Sequence, residues 1–448
     1  MNYGLFLKWV LSVAALLWDV GASALSLEEA VARAQRDNAL LQAASNQVEA
    51  ARARALESWA GFLPSVRISE QVVRSNDAVN AFGFRLKQAR FSQADFAVDR
   101  LNAPDALSNF QTQIAVSQPL FSGGRALHSR RQAQAGARLA KAQLAQQRAE
   151  VRQQTAAAYW NLVLAQAALE TARESAQLTR ADADVVDARY GQGMALGTER
   201  LAAQLRALEA DVETRTAADG VAAASEGLSL LMGLEATAPL APTQGLSGRV
   251  DLPPLEELVE GALGMRADLQ VAEHGLEAAR RGVGAAQAAH WPQLSAFASA
   301  ALDADAPLAR QGDSWTVGAM MVWELPAAST IGQVRRAVAQ RGQAQAQLDF
   351  QRAQVERQVR AAHRALAAAL ERVAARQRGV ELAAERRRIA QLQYDEAMVT
   401  ATELLDARTA LTAARLGYLQ AQCDVRIGLA TLELAAGSIL EHQMGDQQ

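Results

Sequence analysis

Long runs without helix-breaking residues constrain the fold of this chain more than any other feature. No proline occurs between Pro119 and Pro239, and none follows Pro326. From residue 125 to residue 190 the only glycine is Gly136, and alanine, glutamine, leucine and arginine dominate. These residues favour helix, and nothing in the run would end one. At 1.5 Å per residue, a single helix there would be roughly 100 Å long, which few globular domains require.

The long helical run occurs twice. Positions in the two runs match at one constant offset, as in Leu144 and Leu348, Tyr190 and Tyr394, and Gly233 and Gly437. Apolar residues recur every seven positions in both runs, at Leu144, Val151, Ala158 and Ala165 and again at Val359, Leu366, Val373 and Val380. A sustained seven-residue repeat is typical of coiled coils. The sequence therefore predicts two related sets of long helices that pack side by side.

The segments before the long runs are also duplicated, and each copy predicts the order helix, strand, strand, helix, helix. A capping-box sequence at Ser26–Glu29 starts a helix that reaches about Gly61. Alternating apolar and polar residues predict the strands. In the first copy, residues 25–238, the predicted strands are 65–76 and 110–120, the loop is 76–109, and the long helices are 125–190 and 198–233. A linker (239–254) leads to the second copy, residues 255–438, with strands 293–303 and 314–324, helices 328–394 and 400–436, and a tail at 439–448.

The first residues have the features of a signal peptide. Lys8 precedes the apolar run from Trp9 to Trp18, and a small-x-small cleavage site follows at residues 22–24. A signal peptide at residues 1–24 is therefore predicted. An N-terminal membrane anchor is the alternative, but the run is short and Asp19 interrupts it.

Composition and residue spacing argue against several classes of function. The net charge of −3, with acidic and basic residues interspersed, gives no case for nucleic acid. The single cysteine, Cys423, lies in a helical pattern, and His363 occupies the position of Tyr159 in the duplicate. No phosphate-binding loop or metal-ligand spacing occurs. We therefore expect no enzyme, no cofactor and no metal site.

The ordered set of motifs resembles the TolC family of outer-membrane efflux proteins. The resemblance rests on the duplicated element order, the sequence Gln118-Pro119-Leu120-Phe121-x-Gly-Gly, and the turns Tyr190-x-x-Gly193 and Tyr394-x-x-Ala397. It implies a mainly α fold with a transmembrane β-barrel part. Three chains with four strands each would close a 12-stranded barrel in outer-membrane lipid, and the helices would continue it as a coiled-coil tunnel. The implied location is the outer membrane of a Gram-negative bacterium, with extension into the periplasm.

The resemblance also implies a function and partners. The homotrimer would be the exit duct of a tripartite efflux or type I secretion system. It would receive substrates from a periplasmic adaptor (membrane fusion protein) and an inner-membrane pump of resistance–nodulation–division, ABC or major-facilitator type. The alternative from another class is a secreted periplasmic coiled-coil structural protein without channel activity. That alternative explains the helices but not the four strands between them.

Carried over residue by residue, the resemblance gives two sets of candidate site residues. Acidic rings at the tunnel aperture would be formed by Glu403 and Asp406, which lie one helical turn apart. The adaptor would dock on the two turns between long helices, at Gly191, Gly193, Met194, Leu196, Ala397, Met398, Val399 and Thr400. Two positions depart from the family pattern, because Val399 replaces a basic residue and Ala397 replaces the usual glycine.

Overall fold

The computed structural model describes residues 23–324, 328–396 and 398–437. Apart from its last two residues, the predicted signal peptide lies outside these ranges, as do Pro326, Ala397 and the predicted tail. The first copy contains β1 (Ser23–Leu25), α1 (Leu27–Asp37), α2 (Ala39–Glu57), β2 (Ser65–Ser75), α3 (Ala78–Lys87), α4 (Val98–Asn102), β3 (Leu107–Phe121), α5 (Arg125–Gly191) and α6 (Gly197–Leu231). The remainder contains β4 (Leu240–Pro242), α7 (Leu255–Met265), α8 (Ala267–Gln287), β5 (Gln293–Ala304), β6 (Gly312–Val322), α9 (Ala328–Asp395) and α10 (Ala401–Ala436).

The predicted mainly α class, with two strands and two long helices in each copy, is confirmed. The long helices form where the sequence lacks proline and is rich in alanine. α6 ends at a glycine in the left-handed conformation, Gly233 (φ 67°), and so does α10 at Gly437 (φ 72°). Glycine adopts this conformation without a steric penalty, which explains why both copies place it there.

The prediction of one helix from Ser26 to about Gly61 is wrong in detail, because the helix breaks at Asn38. The side-chain Oδ1 of Asn38 accepts hydrogen bonds from the backbone N–H groups of Leu40 (2.9 Å) and Leu41 (3.3 Å). An asparagine that caps the following residues starts a new helix. Two helices, α1 and α2, therefore replace the single predicted one.

The same break occurs in the second copy, where Arg266 separates α7 from α8. Both residues at the breaks bind the end of the return helix of their own copy. Asn38 Nδ2 donates to the carbonyl of Leu231 at 2.9 Å, and Arg266 Nη1 donates to the carbonyl of Ala435 at 3.0 Å. Carbonyl groups at helix C-termini lack intrahelical partners, so these bonds satisfy groups that burial would otherwise leave unpaired.

Residues 76–109 were predicted to be a loop, and this prediction is wrong. The segment holds α3 and α4 as well as a short 3-10 helix at Gln93–Phe96. Asp77 caps α3 by accepting a hydrogen bond from the backbone N–H of Asn80 at 3.0 Å. The rings of Phe82, Phe91 and Phe96 stack edge to face, with centroids 4.8 and 5.1 Å apart. Asp77 therefore starts a helix rather than a loop, and the three rings, of which Phe96 is exposed, form a cluster at the surface beside it.

The predicted linker at 239–254 also contains a regular element, β4, which pairs in parallel with β1. Backbone pairing to a strand just before α1 gives the linker a fixed path. The buried Tyr159 hydroxyl supports it by donating to the carbonyl of Leu25 at 3.0 Å and accepting from the backbone N–H of Gln244 at 3.2 Å. In the duplicate, a ring nitrogen of His363 lies 3.1 Å from the carbonyl of Pro253.

Two compact units are distinguished, and each combines segments of both copies. The first unit comprises the described residues up to Gln47, Ala142–Gln270, and those from Asp349 onward. Its core contains buried residues at heptad spacing on α9, together with residues of α7, α8 and α10: Leu258, Leu269, Val355, Val359, Leu366, Val425 and Leu432. Burying each such side chain contributes about 1.5–3 kcal/mol to stability.

The second unit comprises Val48–Lys141 and Val271–Leu348, and it contains a four-stranded antiparallel sheet in the order β2-β3-β5-β6. The register is continuous, as in Ile68 with Ile114, Ile114 with Ala300, and Ala300 with Trp315. The chain leaves β3 through a turn in which Gly123 has a φ of 61°. A Cβ there would lie 2.5 Å from the Cβ of Trp291, so this position requires glycine.

Side chains alternate across the sheet and give it two different faces. We define the apolar face by residues that share one side through the register: Val66, Ile68, Val72, Phe110, Ile114, Val116, Trp315, Val317 and Met321. The polar face carries the intervening residues, among them Arg67, Ser69, Gln71, Gln111, Gln113, Ser299, Asp303, Ser314 and Thr316. Within the described chain, no helix has an apolar stretch long enough to cross a membrane.

Candidate functional site

The turn between α5 and α6 reverses the chain within five residues, Gln192–Leu196. Gly193 adopts a φ of 72°, and its N–H donates to the carbonyl of Tyr190 at 2.9 Å. The N–H of Met194 donates to the carbonyl of Arg189 at 2.8 Å. This pattern ends a helix abruptly by pairing its last carbonyl groups. The side chains of Met194 and Leu196 are left about two-thirds exposed.

The turn between α9 and α10 repeats this geometry in its described part. The N–H of Met398 donates to the carbonyl of Gln393 at 2.8 Å, which is the bond that Met194 makes in the first copy. Thr400 then caps α10, because its side-chain oxygen accepts from the N–H of Glu403 at 3.3 Å. Met398 is about two-thirds exposed and Val399 is half-buried. Of the predicted docking residues, Ala397 alone lies outside the described residues.

The two turns are brought together by an apolar cluster at the ends of the four long helices. Its buried members are Val186, Ala203, Ala401 and Leu405, and the ring of Tyr394 packs against them. The guanidinium of Arg189 lies 4.5 Å from the centre of the Tyr394 ring, in a cation–π contact. We call this assembly of two turns and four helix ends the tip. The candidate docking residues described by the structure all lie at the tip.

Glu403 and Asp406 lie in the first two turns of α10, within the tip, and both are exposed. They have different neighbours. Glu403 borders a groove along α9, lined also by Leu382, Glu385 and Ile389. Asp406 accepts a hydrogen bond from Nη2 of Arg206 on α6 at 3.1 Å. The arginine offsets part of the negative charge that the sequence assigned to this position.

A partly buried ion pair close to the tip was missed by the sequence reasoning. Arg408 on α10 pairs with Asp182 on α5, and its Nη2 donates to the side-chain oxygen of Gln391 on α9 at 2.7 Å. One side chain thus joins three long helices. Desolvation lowers the pKa of Arg408, and its buried Nε has no hydrogen-bond partner. Residues that lie 226 positions apart in sequence carry no local signal of such a pair.

The single cysteine is packed into the protein interior, and within the described chain the side chains that could bind a metal ion lie too far apart to act together. Cys423 is fully buried, and its thiol lies 3.5 Å from the carbonyl of Trp160. Desolvation and the neighbouring Asp424 raise the pKa of this thiol to about 12, so it is protonated at neutral pH. Among the described residues, no group of histidine, cysteine, aspartate or glutamate side chains could hold a metal ion.

Comparison with known families decides where this architecture belongs. A family model described as outer membrane efflux protein matches residues 30–234 and 258–438. The chain belongs to the outer membrane efflux protein family. The two matched ranges fall on the two copies defined above, so the family pattern covers both sets of strands and both pairs of long helices. The resemblance inferred from the sequence motifs is confirmed.

Solved structures share the fold of this efflux protein over nearly its whole length. The Campylobacter jejuni CmeC outer membrane channel gives a TM-score of 0.80 at 16% identity, covering 94% of this chain and 89% of that chain. A membrane protein from Pseudomonas aeruginosa gives 0.78 at 20% identity, covering 92% and 93%. The outer membrane protein VceC from Vibrio cholerae gives 0.76 at 20% identity, covering 92% and 96%. A search of curated protein sequences finds no significant match.

Family membership places the efflux protein in the outer membrane, as a channel that extends into the periplasm. The family consists of channel proteins rather than enzymes, in agreement with the expectation from the sequence. A coiled-coil structural protein without channel activity was the alternative. Membership of a channel family does not favour that alternative.

Proposed function

We propose that three copies of this chain form the exit duct of a tripartite efflux or type I secretion system. In this proposal the four-stranded sheets of three chains close a 12-stranded barrel in the outer membrane. The long helices continue the barrel as a tunnel through the periplasm. A periplasmic adaptor docks at the tip, and an inner-membrane pump supplies the energy, because no nucleotide-binding sequence occurs in the chain.

The proposal rests mainly on the four-stranded sheet, which has one apolar and one polar face and two unpaired edges. Among the described strands of the single chain, β2 and β6 each have a neighbour on one side only. Free strand edges leave N–H and C=O groups unpaired, and a bilayer offers them no partner. On the apolar face, Ile68, Trp315 and Val317 are each more than two-thirds exposed. Closing three sheets into a ring would pair every edge and turn the apolar face toward lipid.

The long helices also leave apolar residues exposed in the part of the chain that the structure describes. On α6, exposed residues recur at heptad spacing: Leu201, Leu205, Leu208 and Val212. On α9, exposed Leu382 and Ile389 are separated by seven positions. Such stripes are the seams by which helices associate side by side. Neighbouring chains in a trimer would cover them and complete the tunnel wall.

The tip supports the proposed docking of an adaptor. Its exposed apolar residues, Met194, Leu196 and Met398, lie at the end of the long helices, where no described residue of the chain covers them. Exposed methionine and leucine side chains suit a partner helix that packs by shape. The acidic rings proposed from Glu403 and Asp406 would lie one turn further along α10.

Neighbouring strand residues on opposite faces provide a direct test. Val317→Asp places a carboxylate on the apolar face, whereas Thr316→Asp places the same group on the polar face. A charge facing lipid costs up to about 2–4 kcal/mol at the bilayer midplane, less for Asp, and a lumen charge costs far less. We expect Val317→Asp to abolish heat-modifiable trimers in the outer-membrane fraction and Thr316→Asp to retain them. The proposal would be contradicted if both variants lost trimers to the same extent. It would also be contradicted if the native protein itself formed no trimers.

A further inference from the structure

The segment between β2 and β3, residues 76–106, is folded against the sheet. We call this segment the lid. Its helix α3 packs against β3, β5 and β6. The buried residues of α3 and of its C-cap are Ala81, Phe84 and Gln88, which are three and four residues apart in sequence. Residues at this spacing lie on one face of a helix. The side chains of α3 and Gln88 therefore form a continuous surface that contacts the strands.

Buried polar groups fix the lid to one side of the sheet. Gln88 Nε2 donates to the Oδ1 of Asn109 at 2.9 Å and to the carbonyl of Ser108 at 2.8 Å. Asn109 Nδ2 in turn donates to the Oδ1 of Asp303 at 2.6 Å. Gln88, Asn109 and Asp303 are each at least 95% buried. Asp303 belongs to the polar face, and Asn109 lies two residues from Gln111 on that face. The lid therefore covers the polar face.

Two further contacts place the end of α3 over the same face. Gly312 pairs with Asp303 in the sheet register, so a side chain at position 312 would point from the polar face. A Cβ added to Gly312 would lie 1.8 Å from the carbonyl oxygen of Lys87, a distance that no side chain could occupy. Beside it, Arg90 of the lid forms an ion pair with Asp305, which follows β5. The close approach explains why glycine stands at position 312.

We infer that residues 76–106 form a lid over the outer mouth of the channel, which limits the size of molecules that pass. The inference rests on the proposed barrel, in which the polar face of the sheet lines the lumen. The lid is held on the polar face at the ends of the two strands that it connects. In the barrel it therefore lies over the lumen. Three such lids would narrow the mouth in a trimer. The network of Gln88, Asn109 and Asp303 and the Arg90–Asp305 ion pair hold each lid closed.

The lid can be removed without stretching the strands, because Ser75 and Leu107 are paired at the end of the β2–β3 ladder. Replacing residues 76–106 by Asn-Gly would give a two-residue hairpin of a type that strands favour. A cysteine on the polar face, Ser299→Cys, reports access to the lumen beneath the lid. A cysteine at the next position on the apolar face, Ala300→Cys, is the matched control. The native Cys423 is buried and needs no replacement.

The experiment measures the rate at which a membrane-impermeant maleimide, carried on polyethylene glycols of graded size, labels each cysteine in intact cells. Removing the lid should speed labelling of Ser299→Cys by about ten-fold or more, with the largest gain for the largest reagents, because an opening step is no longer needed. Labelling of Ala300→Cys should not change. In the full-length chain, Arg90→Glu should raise the Ser299→Cys rate in the same direction, and Arg90→Lys should not.

An unchanged Ser299→Cys rate in both the lid-deleted and the Arg90→Glu trimers would overturn the inference and leave the channel proposal intact. If the lid-deleted chain forms no trimer, the Arg90→Glu result decides. Failure of the proposed function gives a different result. In that case Ser299→Cys would be labelled only after the outer membrane is ruptured, whether or not the lid is present.

Discussion

Arg408 on α10 and Asp182 on α5 form an ion pair in which both side chains are more than four-fifths buried. The same arginine binds Gln391 on α9, so the pair links three helices just beyond the tip. A charge left alone in such a place is costly, because little water reaches it. Separating the helices at the tip therefore requires this pair to break. We expect it to hold the tip in the arrangement described here.

Replacing Arg408 by alanine should destabilise the tip by about 2–4 kcal/mol, because Asp182 keeps its charge and loses its partner. The expected result is a lower midpoint of unfolding for the purified protein and faster proteolysis near residues 191–196. Arg408→Lys should give an intermediate effect, since lysine keeps the charge but cannot contact both partners in the same way. Reversing the pair, with Arg408→Asp and Asp182→Arg together, should recover most of the stability that either single charge change removes. Full stability of Arg408→Ala would show that the pair does not hold the helices.

The acidic residues of the tip, Glu403 and Asp406, should set ion selectivity if they line the aperture. Replacing Glu403 by Gln and Asp406 by Asn removes the negative field that would attract cations and repel anions. We expect a smaller cation preference, measured as the reversal potential in asymmetric salt. Arg206 provides the opposing control, because Arg206→Ala removes the positive partner of Asp406 and should increase cation preference. An unchanged reversal potential in both variants would place these residues away from the pore.

Added bulk at the tip should block docking of the adaptor. Gly191→Trp suits this test, because a Cβ at position 191 meets no other atom within 4 Å and the residue has no left-handed backbone. Gly193 is less suitable, since its φ of 72° would strain any side chain. We expect Gly191→Trp to abolish export while trimers remain in the outer membrane. The matched control is Gly220→Trp on α6, which is equally open but distant in sequence from the turn. Normal export by Gly191→Trp would locate docking elsewhere.

The thiol of Cys423 should be inert in the folded protein. With a pKa raised to about 12, its thiolate fraction at pH 8 is roughly a thousand-fold below that of an ordinary cysteine. Maleimide should therefore react at pH 8 only after unfolding. Because the folded pKa lies above the unfolded value, the contribution to stability is complete below about pH 8.5. It is lost as the pH rises toward 12. Rapid labelling of the native protein would show that the packing around α10 opens at Cys423.

Secondary structure was predicted best where a single residue pattern determines whether a segment forms a helix or a strand. The absence of proline and the high content of helix-favouring residues predicted α5 and α9, and the alternation around Ile68 and Val317 predicted strands on β2 and β6. Local patterns were misleading in residues 76–109, because aspartate and asparagine favour helix caps as well as loops. Asp77 before an apolar segment was the available signal for α3.

Contacts between distant segments could not be predicted from one sequence. Asp406 was predicted to contribute to an acidic ring, and its pairing with Arg206 was not foreseen because it depends on the register of α6 against α10. The Arg408–Asp182 pair depends likewise on α5 and α10. The duplicated sequence gave no help, since the equivalent positions hold Gln204 and Arg386. The hydrogen bonds of Gln88 to β3 depend on how the lid folds back on the sheet.

Single-channel recording of the purified protein in a planar lipid bilayer tests the central claim most directly. If three sheets close around a lumen and the helices continue it, insertion of trimers should give discrete, uniform steps of current in potassium chloride. Val317→Asp protein, prepared in the same way, should give none, and Thr316→Asp should give steps like those of the native protein. Folded trimers that insert without conducting, in the native protein and in the lid-deleted and Arg408→Ala variants alike, would contradict the assignment of this chain as a channel.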